Sequence, residues 1–286
     1  METDMQEIAP NVFIENNSLG MVTGVIRTEA GSVLVDSPSR QDDVRSWRSG
    51  TAKLVMGEPK FLISLDTNYD RILSSKGTSC VIITHRNSLT VPRTRAASQK
   101  SADENLGSND PYDSQVSSLR WIPPEIVFDS SLSLHLGEMD LLLEHHAGSN
   151  TSGIWVILAQ QKVIFVGDTV VVDQPPFLAY ADLAIWQEDL KVLASRRYKS
   201  YQIVSARSGI VSVEQVREMN KLIGAIRSLL TPLIDRQAAL EDYYELIPKI
   251  MKRINYLSAT EELCANRLRW GLTTWYEQNQ KVMKEA

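Results

Sequence analysis

The sequence predicts a layered α/β body followed by an all-helical C-terminal extension. Short Val- and Ile-rich runs, punctuated by Asn, Gly and Pro, recur as far as Ala206. Helical apolar periods stand between some of these runs, which is the pattern of helices layered on sheets. From Ser212 onward the apolar residues repeat at helical spacing, with no further strand signal. The 286 residues are 43% hydrophobic and 23% charged, enough for a large core with a solvated surface. Residues 1–210 are therefore expected to form the body and 211–286 the helical extension.

The first expected strands are Asn11–Ile14, Met21–Thr28 and Ser32–Pro38, a meander whose third run ends on Asp36. A helix is expected from about Arg40 to Gly50, then a strand at Lys60–Asp66, a short helix at Tyr69–Ser75 and a strand at Cys80–His85. Residues 86–120 are rich in Ser, Asn, Asp and Arg and show no apolar period, so they read as a long loop, either a lid or a surface excursion. The fragment Ser114–Pro123 reads as helical. Strand signals return over Ile126–Gly137 and Met139–Gly148. Ile154–Ala159, Gln160-Gln161 and Lys162–Val166 form a strong hairpin pattern. Ala181–Ser195 reads as a helix, with Leu183, Trp186, Leu190 and Leu193 on one face, and Gln202–Ala206 as the last strand. In the extension, one helix starts at Ser212 and is expected to restart at Pro232. Another spans Ala239–Ile254, and a last one follows the capping-box pattern Ser258–Glu261 and runs to about Tyr276.

Charge and composition narrow the function. Thirty basic against 35 acidic residues give a net charge of −5, which argues against a nucleic-acid partner engaged through a broad basic surface. The N-terminal METDMQEIAP lacks the basic and apolar regions of a leader, and no run is long and apolar enough for a membrane span. A cytoplasmic protein with no membrane association is expected. Two cysteines, Cys80 and Cys264, suggest no disulfide framework, and four histidines are too few for a histidine-rich dinuclear centre.

Four polar fragments sit just beyond apolar runs, where loops of a layered α/β protein converge. They are Ser64–Arg71 (SLDTNYDR), Gly148–Gly153 (GSNTSG), Phe165–Thr169 (FVGDT) and Val204–Gly209 (VSARSG). In their order and spacing, over roughly residues 11–215, the chain resembles the metallo-β-lactamase-like hydrolase superfamily. That resemblance implies a four-layer αββα sandwich with the C-terminal helices as an addition. The superfamily's His-x-His-x-Asp-His motif falls on Asp66, Asn68, Asp70 and Arg71. Its next histidine falls on Asn150, its bridging aspartate on Asp168 and its final histidine on Arg207. Five histidine positions thus carry Asp, Asn or Arg, and only Asp70 and Asp168 keep the family's residue type.

The resemblance therefore implies the fold but not the family's dinuclear zinc hydrolysis, because the matched positions hold no imidazole. A catalytically degenerate protein with a scaffolding, regulatory or ligand-binding role is expected. Its old site becomes a metal-free cluster in which Arg71 and Arg207 balance Asp66, Asp70 and Asp168. No cofactor is expected. The alternative is a hydrolase acting on an anionic or phosphoester substrate. There Asp66, Asn68, Asn150 and Asp168 hold Mg²⁺, Mn²⁺ or Ca²⁺, and Asp70, Arg71 and Arg207 supply the catalytic groups. A homodimer through the C-terminal helices and a small anionic ligand are the expected partners. Among the histidines, His85 ends a strand and faces either the core or the cleft. His145 and His146 point apart on an extended chain, and His135 reads as structural or exposed. Ser149 and Ser205 are candidate nucleophiles without a nucleophile-elbow pattern.

Overall fold

The computed structural model describes residues 5–16, 21–38, 41–55, 59–68, 71, 80–89 and 123–285. They divide into two compact units. The first is built from Met1–His145, Ser152–Gly167 and Gln202–Gly209, and the second from His146–Thr151, Asp168–Tyr201 and Ile210–Ala286.

The first unit contains a seven-stranded sheet in the order β1 to β7. Its strands are β1 (Met5–Ala9), β2 (Val12–Asn16), β3 (Val22–Ile26), β4 (Val33–Val35), β5 (Phe61–Ile63), β6 (Val81–His85) and β7 (Ile126–Phe128). The first four pair antiparallel and the last four parallel, with helix α1 (Gln41–Leu54) between β4 and β5. Antiparallel neighbours close through short turns, whereas a parallel pair needs a crossover of this kind. The second sheet runs β13-β12-β11-β10-β9-β8. Its strands are β8 (Ser131–Leu136), β9 (Met139–His145), β10 (Ile154–Leu158), β11 (Val163–Phe165), β12 (Gln202–Ser205) and β13 (Gly209–Val211). The hairpin expected between 154 and 166 is β10–β11, with Val156 opposite Phe165 and Leu158 opposite Val163.

The two sheets share one apolar core. Val12, Ile14, Val33, Val35, Ile63 and Ile83 from the first meet Leu141, Leu143, Val156, Phe165 and Val204 from the second. The intervening residues face the other way. Phe13, Val25, Leu34, Leu62 and Ile82 pack with Trp47 of α1 in a separate cluster. Burial on both faces explains why these strands read as continuous apolar runs rather than alternating ones. Each such side chain contributes about 1.5–3 kcal/mol relative to exposure. Gly24 gives the sheets room to meet, since a β-carbon there would stand 2.8 Å from the Phe165 ring.

The second unit is mainly helical: α2 (Leu183–Leu193), α3 (Val213–Asp235), α4 (Leu240–Tyr244), α5 (Ile247–Met251) and α6 (Glu261–Glu285). Asp182 caps α2 by accepting the N–H groups of Ala184 and Ile185, and a reciprocal Ser212–Gln215 capping box starts α3. Helices α2 and α3 pack together. Arg227 donates to the Gln187 side chain at 3.2 Å, and Gly224 admits the Gln187 amide, which a β-carbon would meet at 2.8 Å. Along α6, Cys264, Leu268, Leu272 and Trp275 are buried. The Trp275 indole donates to the Ala181 carbonyl, and the Trp270 ring lies 4.7 Å from that of Phe177.

The elements are those of an α/β sandwich with a C-terminal helical extension, and several boundaries differ from expectation. Strand β1 was not foreseen, because a strand paired on one side only carries the polar residues Gln6 and Glu7. The short β13 lacks an apolar run. Helix α3 continues through Pro232, which lies in its last turn and removes a single intrahelical bond. The expected helix 239–254 is two short ones, broken where Pro248 opens α5. The helix expected to end near Tyr276 reaches Glu285. The expected helices at 69–75 and 114–123 lie outside the described residues, Arg71 and Pro123 excepted, and the loop expected at 86–120 is described only at Arg86–Leu89, a 3-10 turn. No described helix is long and apolar enough to cross a membrane.

Candidate functional site

The polar cluster begins at the ends of two neighbouring parallel strands. After β4, Asp36 takes a left-handed backbone conformation (φ 55°), and after β5 the chain runs without regular secondary structure through Ser64–Asn68. Asp36 Oδ1 accepts the Leu65 N–H at 2.9 Å, so its side chain ties one strand end to the next. From the other side, the Leu65 carbonyl accepts the N–H of Ile154 at 2.8 Å, which fixes the same loop to β10. The Thr67 and Ser152 hydroxyls meet at 2.7 Å, both fully buried. These contacts hold Asp66 and Asn68 in place before any ligand is considered.

Arg71 supplies the positive charge. Its guanidinium is buried, with Nε 2.9 Å from Asp36 Oδ2 and Nη1 bonded to Asp66 Oδ2. Asp66 also accepts from Asn68, through the backbone N–H at 2.7 Å to Oδ1 and the side-chain amide at 3.2 Å to Oδ2. Both oxygens of each carboxylate are thus engaged by donors of the chain. A buried carboxylate needs either a cation or several hydrogen bonds, and here it has both. This donor set does not fit a dinuclear zinc centre. Asp66 faces a fixed cation and accepts from Asn68, Asn68 offers at most a neutral amide oxygen, and Arg71 cannot ligate a metal. Among the described residues, no group of three or more His, Cys, Asp or Glu side chains is arranged to hold a metal ion.

The remaining sequence-selected residues are placed as follows. Asp70 lies outside the described residues. Arg207 is half-buried after β12 in the first unit; its N–H and that of Ser208 both donate to Ser205 Oγ at 3.1 Å. Ser205 is thereby a turn acceptor. Asn150 and Asp168 belong to the second unit, and both are buried, the latter in a tight 3-10 turn at Gly167–Thr169. In that unit His146 Nδ1 is 2.8 Å from Asp189 Oδ1, and Asp189 Oδ2 accepts the Gly148 N–H at 3.0 Å. The structure thus joins Asp66, Asn68 and Arg71, and adds Asp36.

The other histidines separate as their chain positions require. His145 stacks on His85 with ring centroids 3.6 Å apart, while the adjacent His146 turns to Asp189. His135 is exposed and lies 2.7 Å from Asp140. The His85 pKa is lowered, first by burial and next by the neighbouring His145.

Solved structures give the same architecture. A metallo-β-lactamase family protein from Thermus thermophilus superposes with a TM-score of 0.67 at 14% identity, covering 94% of this chain and 93% of that one. The chain has the metallo-β-lactamase fold. A metallo-β-lactamase from Pontibacter korlensis matches with a TM-score of 0.58 at 17% identity, over 78% of this chain and 99% of its own. The sec-alkylsulfatase Pisa1 from Pseudomonas sp. matches with a TM-score of 0.67 at 10% identity. That match covers 96% of this chain, which spans only 50% of the sulfatase. No family model matches the sequence, and no curated protein does. Within the metallo-β-lactamase fold, the sequence resemblance had singled out Asp66, Asn68 and Arg71. It treated Asp36 only as a strand end and did not find the His85–His145 stack. Asp36 at the end of an apolar strand and just before a proline was the available signal for the first. Nothing local signals the second, because the two rings come from different sheets.

Proposed function

We propose that the protein is a catalytically degenerate form of the metallo-β-lactamase fold that serves as a scaffold, a regulator or a binder of a small anionic ligand. The observation carrying this reading is the Arg71 guanidinium, buried and paired with Asp36 and Asp66. A fixed cation between two carboxylates supplies the charge balance that a metal would otherwise provide. The half-buried Arg207 is the group suited to an anionic ligand, given a guanidinium's preference for carboxylates and phosphates.

The finer features belong to the same reading. Residues 1–210 act as the body and 211–286 as the extension, supported by the purely helical elements after Val213. A homodimer through that extension is supported by the exposed Leu257 and Leu263, which flank the start of α6. A cytoplasmic location accords with two buried cysteines in the thiol form, Cys80 and Cys264. The net charge of −5 speaks against nucleic acid as the partner.

The competing hydrolase would hold Mg²⁺, Mn²⁺ or Ca²⁺ with Asp66, Asn68, Asn150 and Asp168 and use Asp70, Arg71 and Arg207 in catalysis. It requires Asp66 to exchange its bonds to Asn68 and Arg71 for a metal. Incubation with a phosphomonoester and a phosphodiester, with and without each cation, decides between them. The degenerate reading expects hydrolysis no faster with cation than without. Cation-dependent turnover that is lost in Asp66→Asn would overturn it.

A further inference from the structure

We propose that the stacked His85–His145 pair is a pH-sensitive latch between the two β-sheets of the first unit, closed while the His85 imidazole is neutral and opened by its protonation. His85 ends β6 of the first sheet and His145 ends β9 of the second. Their rings lie face to face, with centroids 3.6 Å apart and planes 8° from parallel. Around His85 the hydrogen bonds fix the protonation state. Nε2 stands 2.7 Å from the Asp129 carbonyl, which only accepts, so Nε2 carries the hydrogen. Nδ1 accepts the Asn87 N–H at 3.2 Å, so that nitrogen must keep its lone pair. A proton arriving at Nδ1 abolishes the bond to Asn87 and places a cation against the second imidazole.

The surroundings offer that cation little compensation. From the 3-10 turn after β6 comes Arg86, and from the β7–β8 turn Asp129, which pair with each other at 2.5 and 3.1 Å. From β9 comes His145 itself, beside Glu144, while the edge-on Phe128 ring contributes no charge. Burial and the His145 ring both lower the His85 pKa, and they outweigh the bond to the Asp129 carbonyl and the Asp129 charge, which raise it. The junction also carries the backbone bond from His145 N–H to the Ser130 carbonyl at 2.9 Å. Protonation of His85 therefore bears directly on the turn after β6 and on the place where β9 meets the β7–β8 turn.

The test follows the histidine rings by NMR over roughly pH 5 to 8, the range in which imidazole titrates. Amide exchange of Asn87 and His145 is measured in the same samples and corrected for intrinsic rates. His85 is expected to titrate below its ordinary value, and protection of both amides to fall together with that titration. In His145→Phe, which keeps a ring in the stack and removes the second imidazole, the His85 midpoint is expected to rise. A His85 midpoint at or above the ordinary value, or amide protection unchanged across the range, would overturn the latch. Should His145→Phe fail to fold, the wild-type titration and exchange profile alone decide between these outcomes.

Discussion

At φ 55° the backbone of Asp36 occupies a region that disfavours most side chains by roughly 1–2 kcal/mol. Its carboxylate offsets that strain by accepting the Leu65 N–H, 29 residues along the chain, and by facing Arg71. Removing Arg71 leaves two buried carboxylates without their cation, a loss of about 3–5 kcal/mol. Arg71→Ala is accordingly expected to lower the urea midpoint sharply. Arg217→Ala, which breaks only an exposed i,i+3 pair, should change the unfolding free energy by less than about 0.5 kcal/mol. Arg207→Ala should fall between them, because Arg207 is half-buried. His85 adds a pH dependence. Its folded pKa lies below the ordinary 6.5, so its stabilising contribution is full above that value and is lost as the pH falls from there toward the folded pKa. Melting temperatures of the wild type and His85→Phe across this interval should converge as the pH drops. At this scale the sequence revealed which residue types had changed but not whom they meet. Arg71 and Arg207 together were expected to balance Asp66, Asp70 and Asp168, and the pairing of Arg71 with Asp36 depends on two strand ends that become neighbours only in the sheet.

Among the elements, the loop before Asn150 has the least tolerance. A β-carbon on Gly148 would lie 2.3 Å from the Trp186 Cα and 2.7 Å from Asp189 Oδ2, contacts with backbone and a packed side chain that cannot both yield. Gly148→Ala should destabilise the protein by at least about 1–3 kcal/mol, read by chemical denaturation. It should also disturb the His146–Asp189 contact, visible in the His146 ring resonances. At the start of α3, Ser212→Ala removes one half of the capping box and should cost about 1 kcal/mol. Element types were readable wherever packing imposes a period. The hairpin β10–β11 was found because two fully buried apolar runs flank Gln160-Gln161, and helix α2 because its buried residues recur at spacings of three to four. Strand β1 escaped because it is paired on one side only, and the continuous course of α3 escaped because Pro232 signals a stop that packing of Leu230 and Leu233 overrides.

For the whole molecule, fold and activity separate. Strand order, helix order and polar strand ends were legible because they follow from burial, and the superposition on proteins sharing 10–17% of its residues shows how little identity that architecture needs. Activity rests on a handful of side chains, and at the positions to which the sequence resemblance points the chain carries Asp66, Asn68, Arg71, Asn150 and Arg207. Chemistry at such a site is decided by whether Asp66 is engaged by Arg71 or by a metal, a choice that spacing along the chain does not encode. The most direct measurement is the metal content of protein purified without added metal, followed by titration of wild type and Arg71→Ala with zinc, manganese and magnesium. With Arg71 as the resident cation, wild type should carry substoichiometric metal and show no saturable binding at this cluster. Stoichiometric metal in the wild type, released on substitution of Asp66 and unaffected by substitution of distant carboxylates, would contradict it.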